Sequence, residues 1–363
     1  MHGLYIHIPF CIQKCKYCDF LSFTCGDKQA YIDALVRELS ERCGEMIDSV
    51  FVGGGTPTCI ENPLLEKIFC AVHKSFRLAE NTEWTVEANP KTLDDEKLRM
   101  LRSFGVNRLS VGVQSFDDAE LRAIGRIHTA REAEQTLFAA RKYFENLNID
   151  LISALPGQST ASFRRTLSRA AEFDAAHISC YSLILEEGTP LYNENLAAPL
   201  ALPDEDEERL MYDTAVKFLN NAGFSRYEIS NFAKHNRECR HNLKYWHCEE
   251  YIGAGLGAHS YIDGVRFSNT RDMKSYIAGS RAGGSERLSQ ADMRAEFVIL
   301  AMRLREGVDE SEYERRFGRS FCGDYGAQLG KFTRLGMIEK TERGYRLTDG
   351  GICVSNAVLC EFV

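Results

Sequence analysis

The sequence predicts an α/β fold: a partial, TIM-like (β/α)6 barrel followed by a mainly helical, winged-helix-like C-terminal domain. Three observations carry this. Apolar β-like runs alternate with amphipathic helical stretches six times within the first 185 residues, as in a parallel sheet with right-handed crossovers. Glycine and polar residues gather after successive strands, where barrels of this class place their chemistry. After Gly264 the alternation gives way to helices and a hairpin.

Leu4–Ile8 reads as the first strand, followed by a cysteine-bearing loop and a helix over Ala30–Arg42. Ser49–Val52 is the second strand, and Pro63–Lys74 a helix with Leu64, Leu65, Ile68 and Val72 on one face. Trp84–Glu87 is the third, its helix Leu93–Ser103 opening after Thr92 as N-cap. Arg108–Val113 precedes helical stretches at Ala119–Ile124 and Ala130–Phe144. Asn148–Ile152, a helix over Ala161–Phe173 and His177–Leu185 complete the six units. Beyond them, helices are expected at Asp292–Arg305, Ser311–Phe317 and Asp324–Leu335, with a hairpin over 337–348 turning near Arg343-Gly344. The expected divisions are a barrel over 1–230, a connecting region over 231–285 and a C-terminal domain over 286–363.

Composition narrows the function classes. The 363 residues are 44% hydrophobic and 26% charged, as in an ordinary globular protein, and no apolar run approaches the ~18–20 residues of a membrane span. A net charge of −8 argues against generic nucleic-acid binding, including by the winged-helix-like region. The N-terminal residues lack a basic region and a long apolar stretch, so a reducing cytoplasmic setting is expected, where clustered cysteines mean metal or catalysis.

Such a cluster is present. Cys11, Cys15 and Cys18 stand in C-x3-C-x2-C spacing, with Phe20 where a fourth cysteine would fall. Three thiolates hold three corners of a [4Fe–4S] cube and leave one iron open to a ligand. Structural zinc would need a fourth ligand, and no second C-x2-C half-site exists. The other ten cysteines are scattered singly, and small buried hydrophobes are expected there.

The strand ends add partners. Gly53-Gly54-Gly55-Thr56-Pro57 follows strand two and brings backbone groups close to a ligand. Glu87-Ala88-Asn89-Pro90 ends strand three, Gln114-Ser115-Phe116 ends strand four, and Asp150 interrupts strand five. Carboxylates there can hold a ribose diol or balance a positive charge.

These motifs together resemble the radical S-adenosylmethionine (SAM) superfamily. The strings Tyr5-Ile6-His7-Ile8-Pro9-Phe10-Cys11, Glu87-Ala88-Asn89-Pro90, Gly112-Val113-Gln114-Ser115-Phe116 and Ile149-Asp150-Leu151-Ile152 resemble its oxygen-independent coproporphyrinogen III oxidase-like branch over nearly the whole chain. Within that branch the chain is more similar to the haem chaperones than to the oxidases. Phe20 replaces the oxidases' fourth cysteine, strand one begins at Leu4 without their N-terminal extension, and His241-Asn242-Leu243-Lys244-Tyr245-Trp246 matches the chaperones' H-N-x-x-Y-W. The resemblance implies that Cys11, Cys15 and Cys18 ligate a [4Fe–4S] cluster. It implies that Tyr5, Tyr17, Gly54, Gly55, Thr56, Glu87, Gln114, Arg126 and Asp150 line the SAM site. Haem would be cargo passed to an acceptor apoprotein, an electron donor would serve the cluster, and membrane contact would come only through a partner. The alternative is an active radical SAM enzyme, a methyltransferase or a tetrapyrrole-modifying one. Imidazole is a common haem ligand; His235, His241, His247 and His259 crowd the motif, and the resemblance points to His241.

Overall fold

The computed structural model describes residues 1–363. Six parallel strands are present: β1 (His2–Ile8), β2 (Met46–Gly54), β3 (Arg77–Ala88), β4 (Arg108–Gln114), β5 (Asn146–Ser153) and β6 (His177–Ser182). The expected boundaries move at several places. β3 extends well before Trp84, and β6 stops before Leu183. The helix after β3 starts at Asp95, where Asp94 caps it by accepting from Lys97 N at 2.7 Å. Thr92, expected as that cap, instead accepts from Asn89 N and pairs with Thr58 in the preceding turn.

The sheet runs further than the alternation showed. β7 (Ser225–Arg226) and β8 (Asn231–Ala233) add antiparallel beside β6. β9 (Tyr251–Ala254) adds parallel beside β1, and β10 (His259–Ile262), β11 (Val265–Ser268) and β12 (Gly284–Arg287) follow antiparallel. The order β12-β11-β10-β9-β1-β2-β3-β4-β5-β6-β8-β7 leaves the barrel open rather than closed.

Period-two alternation decides which side chains face which way. One set, including Val50, Val52, Val86, Leu109, Val111, Leu147, Ile149 and Ile178, joins a core of 52 buried residues beneath the outer helices. The helix Asn62–Ser75 contributes Leu65, Ile68, Phe69 and Val72; Leu64, expected on that face, is only half-buried. Each such aliphatic side chain is worth about 1.5–3 kcal/mol on full burial. The alternate set is polar and lines the barrel: Ser49, Glu87, Arg108, Ser110, Asn148, Asp150, His177 and Ser179.

A second core of 14 buried residues lies C-terminal. Helices Gln290–Ala301, Glu310–Phe317 and Phe321–Arg334 pack with a sheet ordered β13 (Val308–Asp309), β15 (Gly344–Leu347), β14 (Ile338–Lys340). The hairpin turns through 341–343, where Thr341 Oγ1 accepts from Gly344 N at 3.0 Å. Arg226 pairs with Asp349 at 2.7 Å, and Arg316 donates to the His247 carbonyl at 2.7 Å, tying this part to the barrel.

Of the ten scattered cysteines only Cys180 and Cys239 are buried; six are exposed and two half-buried. The expectation of buried hydrophobes fails because most stand on outward positions of helices and turns.

Candidate cofactor site at the barrel mouth

The loop after β1 is fixed at its base and its tip. Cys11 N donates to the Phe23 carbonyl (2.9 Å) and Phe23 N to that of Pro9 (2.7 Å), while Phe10, 2% exposed, stands edge-on to Tyr31. At the tip, Lys16 N donates to the Ile124 carbonyl and Gln13 Nε2 to that of Gly125, both at 3.0 Å. The loop thereby holds Cys11, Cys15 and Cys18 half-buried on one cavity of about 380 Å³. Tyr17, Gly54, Gly55, Thr56, Glu87, Gln114, Arg126 and Asp150 line the same cavity.

The sulfur atoms meet donors. Thr56 Oγ1 donates to Cys11 Sγ at 3.5 Å, and Arg126 Nη1 to Cys15 Sγ at 3.4 Å. Burial, followed by the proximity of Cys15 and Cys11, pushes the Cys18 thiol up to about 11. Three thiols on one cavity would be held as thiolates only by a cationic centre, and the guanidinium on Cys15 suits a site made for the anionic form. The residues present therefore fit an iron–sulfur cluster with three protein ligands.

The glycine run is sterically required. A Cβ at Gly53 would lie 2.7 Å from Glu87 Oε2, one at Gly54 2.5 Å from the His7 ring, and one at Gly55 2.6 Å from the Phe10 carbonyl oxygen. Gly54 has φ +110° and donates its N–H to Glu87 at 3.1 Å. Gln114 holds φ +70° where the β4–β5 register shifts, a strained non-glycine conformation at the cavity wall. Arg126 also donates to Asn89 Oδ1 (2.5 Å) and to the Gly112 carbonyl.

Two carboxylates face the cavity differently. Asp150 accepts from Ser110 Oγ (2.9 Å) and Asn148 Nδ2 (2.8 Å). Asn148 is itself fixed by His177 Nδ1 at 2.6 Å, so Nδ1 carries the proton and Nε2 accepts from Tyr227 O–H at 2.8 Å. Glu87 has the Gly54 N–H, and burial followed by Asp150 pushes its carboxyl up to about 7. Ser110, Asn148 and His177 escaped the motif reading, although their period-two placement in β4, β5 and β6 marks them as lumen residues.

Tyr5 and His241 stand apart from the mouth. Tyr5 lines a deeper chamber and donates to His7 Nδ1 at 3.0 Å, since His7 Nε2 bonds the Leu21 carbonyl at 2.9 Å. His241 is 1% exposed at the base of that chamber. Its Nδ1 meets Ser49 Oγ at 3.0 Å and its Nε2 meets Tyr245 O–H at 2.9 Å. Burial and the nearby Lys244 charge push its pKa down to about 3. An axial ligand must present a free ring nitrogen to the iron, and here both are engaged. The expectation of His241 as an accessible haem ligand does not fit this arrangement.

A family model for the radical SAM superfamily matches residues 5–170, and one for the HemN C-terminal domain matches 288–354. The chain is 35% identical to the heme chaperone HemW of Bacillus subtilis, covering 100% of this chain and 99% of that protein. It is 32% identical to HemW of Escherichia coli, over 99% and 98%. The structure of the coproporphyrinogen III oxidase HemN from Escherichia coli superposes with a TM-score of 0.87 at 24% identity, over 99% of this chain and 89% of that one. That likeness establishes the shared fold. With the three-cysteine mouth and full-length identity to chaperones, the chain belongs to the HemW family of the radical SAM superfamily.

Proposed function

We propose that this protein is a haem chaperone that binds haem together with a [4Fe–4S] cluster and SAM, and passes the haem to an acceptor protein. One observation carries the reading: three half-buried cysteines share a cavity with Gly54, Glu87, Arg126 and Asp150, in a chain 35% identical to a HemW protein over its full length. In this reading Cys11, Cys15 and Cys18 hold the cluster. Gly54 and Gly55 would offer backbone groups to the amino-acid end of SAM, and Gln114 and Asp150 would hold its ribose. Arg126 braces Cys15 and the Asn89 turn. When bound, the reduced cluster supplies one electron and SAM the sulfonium that accepts it. Tyr17 covers the site from the loop side.

Exposed apolar side chains at the rim, Phe20 (60%) and Ile184 (65%), support a flat apolar cargo at the mouth. Phe20 is where the oxidases carry a further cysteine, which disfavours coproporphyrinogen oxidase activity; the full-length identity to HemW proteins disfavours the active-enzyme alternative. We read the chain as units over 1–230, 231–285 and 286–363, the second adding β8 to β11 to the barrel's sheet. It would work in the cytoplasm with a separate electron donor, and meet a membrane only through a partner. Anaerobic haem titration of reconstituted protein, followed by transfer to an apo-haemoprotein, tests the reading. A Soret band that moves from this chain to the acceptor is expected; absence of any Soret shift on titration overturns it.

A further inference from the structure

Below the cofactor cavity the barrel encloses a second chamber of about 210 Å³. The two share Glu87, Asp150 and Tyr181 as a common boundary. Deeper in, the chamber is lined by Arg108, by the rings of Tyr5 and Phe51, and by Asn242 and Tyr245 of the H-N-x-x-Y-W helix Arg240–Trp246.

Arg108 is the unexplained group. It opens β4, is 2% exposed, and faces this chamber. Its Nε is buried with no hydrogen-bond partner. Cys239, Glu83, Tyr227 and Asp150 act on it through space with no hydrogen bond to it, and the two carboxylates are committed elsewhere. Glu83 accepts from Arg240 N and His241 N, each at 3.1 Å, at the start of the motif helix. Asp150 takes Ser110 and Asn148. A buried guanidinium with donors to spare calls for a planar acceptor, and a carboxylate matches its fork in two parallel bonds.

We propose that the chamber binds a short-chain carboxylate, paired with Arg108 at its base and with its carbon chain against the stacked rings of Tyr5 and Phe51. Arg108 lies two residues before Ser110, the partner of Glu87, and so opens its strand about 7 Å deeper than the Glu87 level. The nearer carboxylates, Glu83 and Asp150, keep the donors named above. The volume excludes a porphyrin macrocycle. The carboxylate therefore belongs either to a free acid of a few carbons or to the propionate arm of a porphyrin seated at the mouth. The second source rests on the haem reading above; the first does not.

The test is ligand-observed NMR on the full-length protein with propionate and with its uncharged isostere propionamide. Saturable propionate binding is expected, about tenfold tighter than propionamide, with the preference erased in Arg108→Gln. Should that variant not fold, Asn242→Leu narrows the chamber without touching the charge and is expected to abolish propionate binding. Cluster content and SAM affinity of Asn242→Leu, measured alongside, are expected to stay at parent values, which separates this site from the cofactor site. Unsaturable binding to the parent protein, a carboxylate preference that survives Arg108→Gln, or full propionate binding by Asn242→Leu overturns the proposal. Competition by haem but not by its dimethyl ester assigns the carboxylate to a porphyrin arm; competition by neither assigns it to a free acid.

Discussion

Replacing Gly54 with alanine separates the clamp's backbone demand from its steric demand. Gly54 has φ +110°, and an added Cβ would meet the His7 ring at 2.5 Å. That ring cannot swing aside without loss, because Tyr5 O–H and the Leu21 carbonyl hold its two nitrogens. Gly44 is the control: its φ is +94°, and nothing lies within 4 Å of a Cβ there. Left-handed backbone costs a residue with a Cβ about 1–2 kcal/mol, and overpacking against a fixed group adds about 1–3 kcal/mol. Gly44→Ala should therefore lose about 1–2 kcal/mol and Gly54→Ala about 2–5 kcal/mol in denaturant unfolding of the cluster-free protein. The second substitution also displaces the N–H that Glu87 accepts. SAM affinity of reconstituted Gly54→Ala should fall at least about tenfold, with Gly44→Ala unchanged. Equal stability and equal SAM affinity in the two variants would refute the argument that close packing on His7 shapes this clamp.

Three further outcomes are expected. Glu87 is raised to about 7 in the fold, so it is protonated folded and ionised unfolded between its ordinary range and neutrality. It makes stability fall as pH rises through that window, by about 1–3 kcal/mol after discounting for its partial exposure. Glu87→Gln should flatten the loss in cluster-free protein unfolded at pH 5 and pH 8, and a slope equal to the parent's contradicts this. Asn148→Ala strips Asp150 of one donor and leaves His177 Nδ1 without its acceptor; a loss of about 2–4 kcal/mol and weaker SAM binding should follow in unfolding and equilibrium dialysis. His241→Ala should cost about 2–4 kcal/mol through the buried cavity and the stranded Ser49 and Tyr245 hydroxyls. Haem affinity from the Soret titration should meanwhile stay within about threefold of the parent's, which is under 1 kcal/mol. Abolished haem binding in a folded variant restores His241 as a ligand.

What could be read from the residues depended on how local its cause was. The six parallel strands follow from alternation within each segment, and the mouth follows from glycine and polar residues at strand ends. β9 escaped because a four-residue run among glycines becomes a strand only by pairing with β1, some 250 positions away in sequence. Arg108 and Asn148 were legible in principle, since each falls on the inward parity of its strand, but no motif drew attention to them. His241 shows the opposite case. Its motif is local, but its partners are not: Ser49 is 192 positions away in sequence. A histidine's chemistry depends on whether its nitrogens are already taken.

The proposed function stands on Cys11, Cys15 and Cys18 holding a cluster with one iron open to SAM. Electron paramagnetic resonance of the anaerobically reconstituted, reduced protein, recorded with and without SAM, tests it most directly. Iron and sulfide in the ratio of one [4Fe–4S] cluster per chain are expected, with a spectrum that changes on adding SAM and a signal lost in Cys18→Ser. Zinc in place of iron, or a cluster spectrum indifferent to SAM, would contradict it.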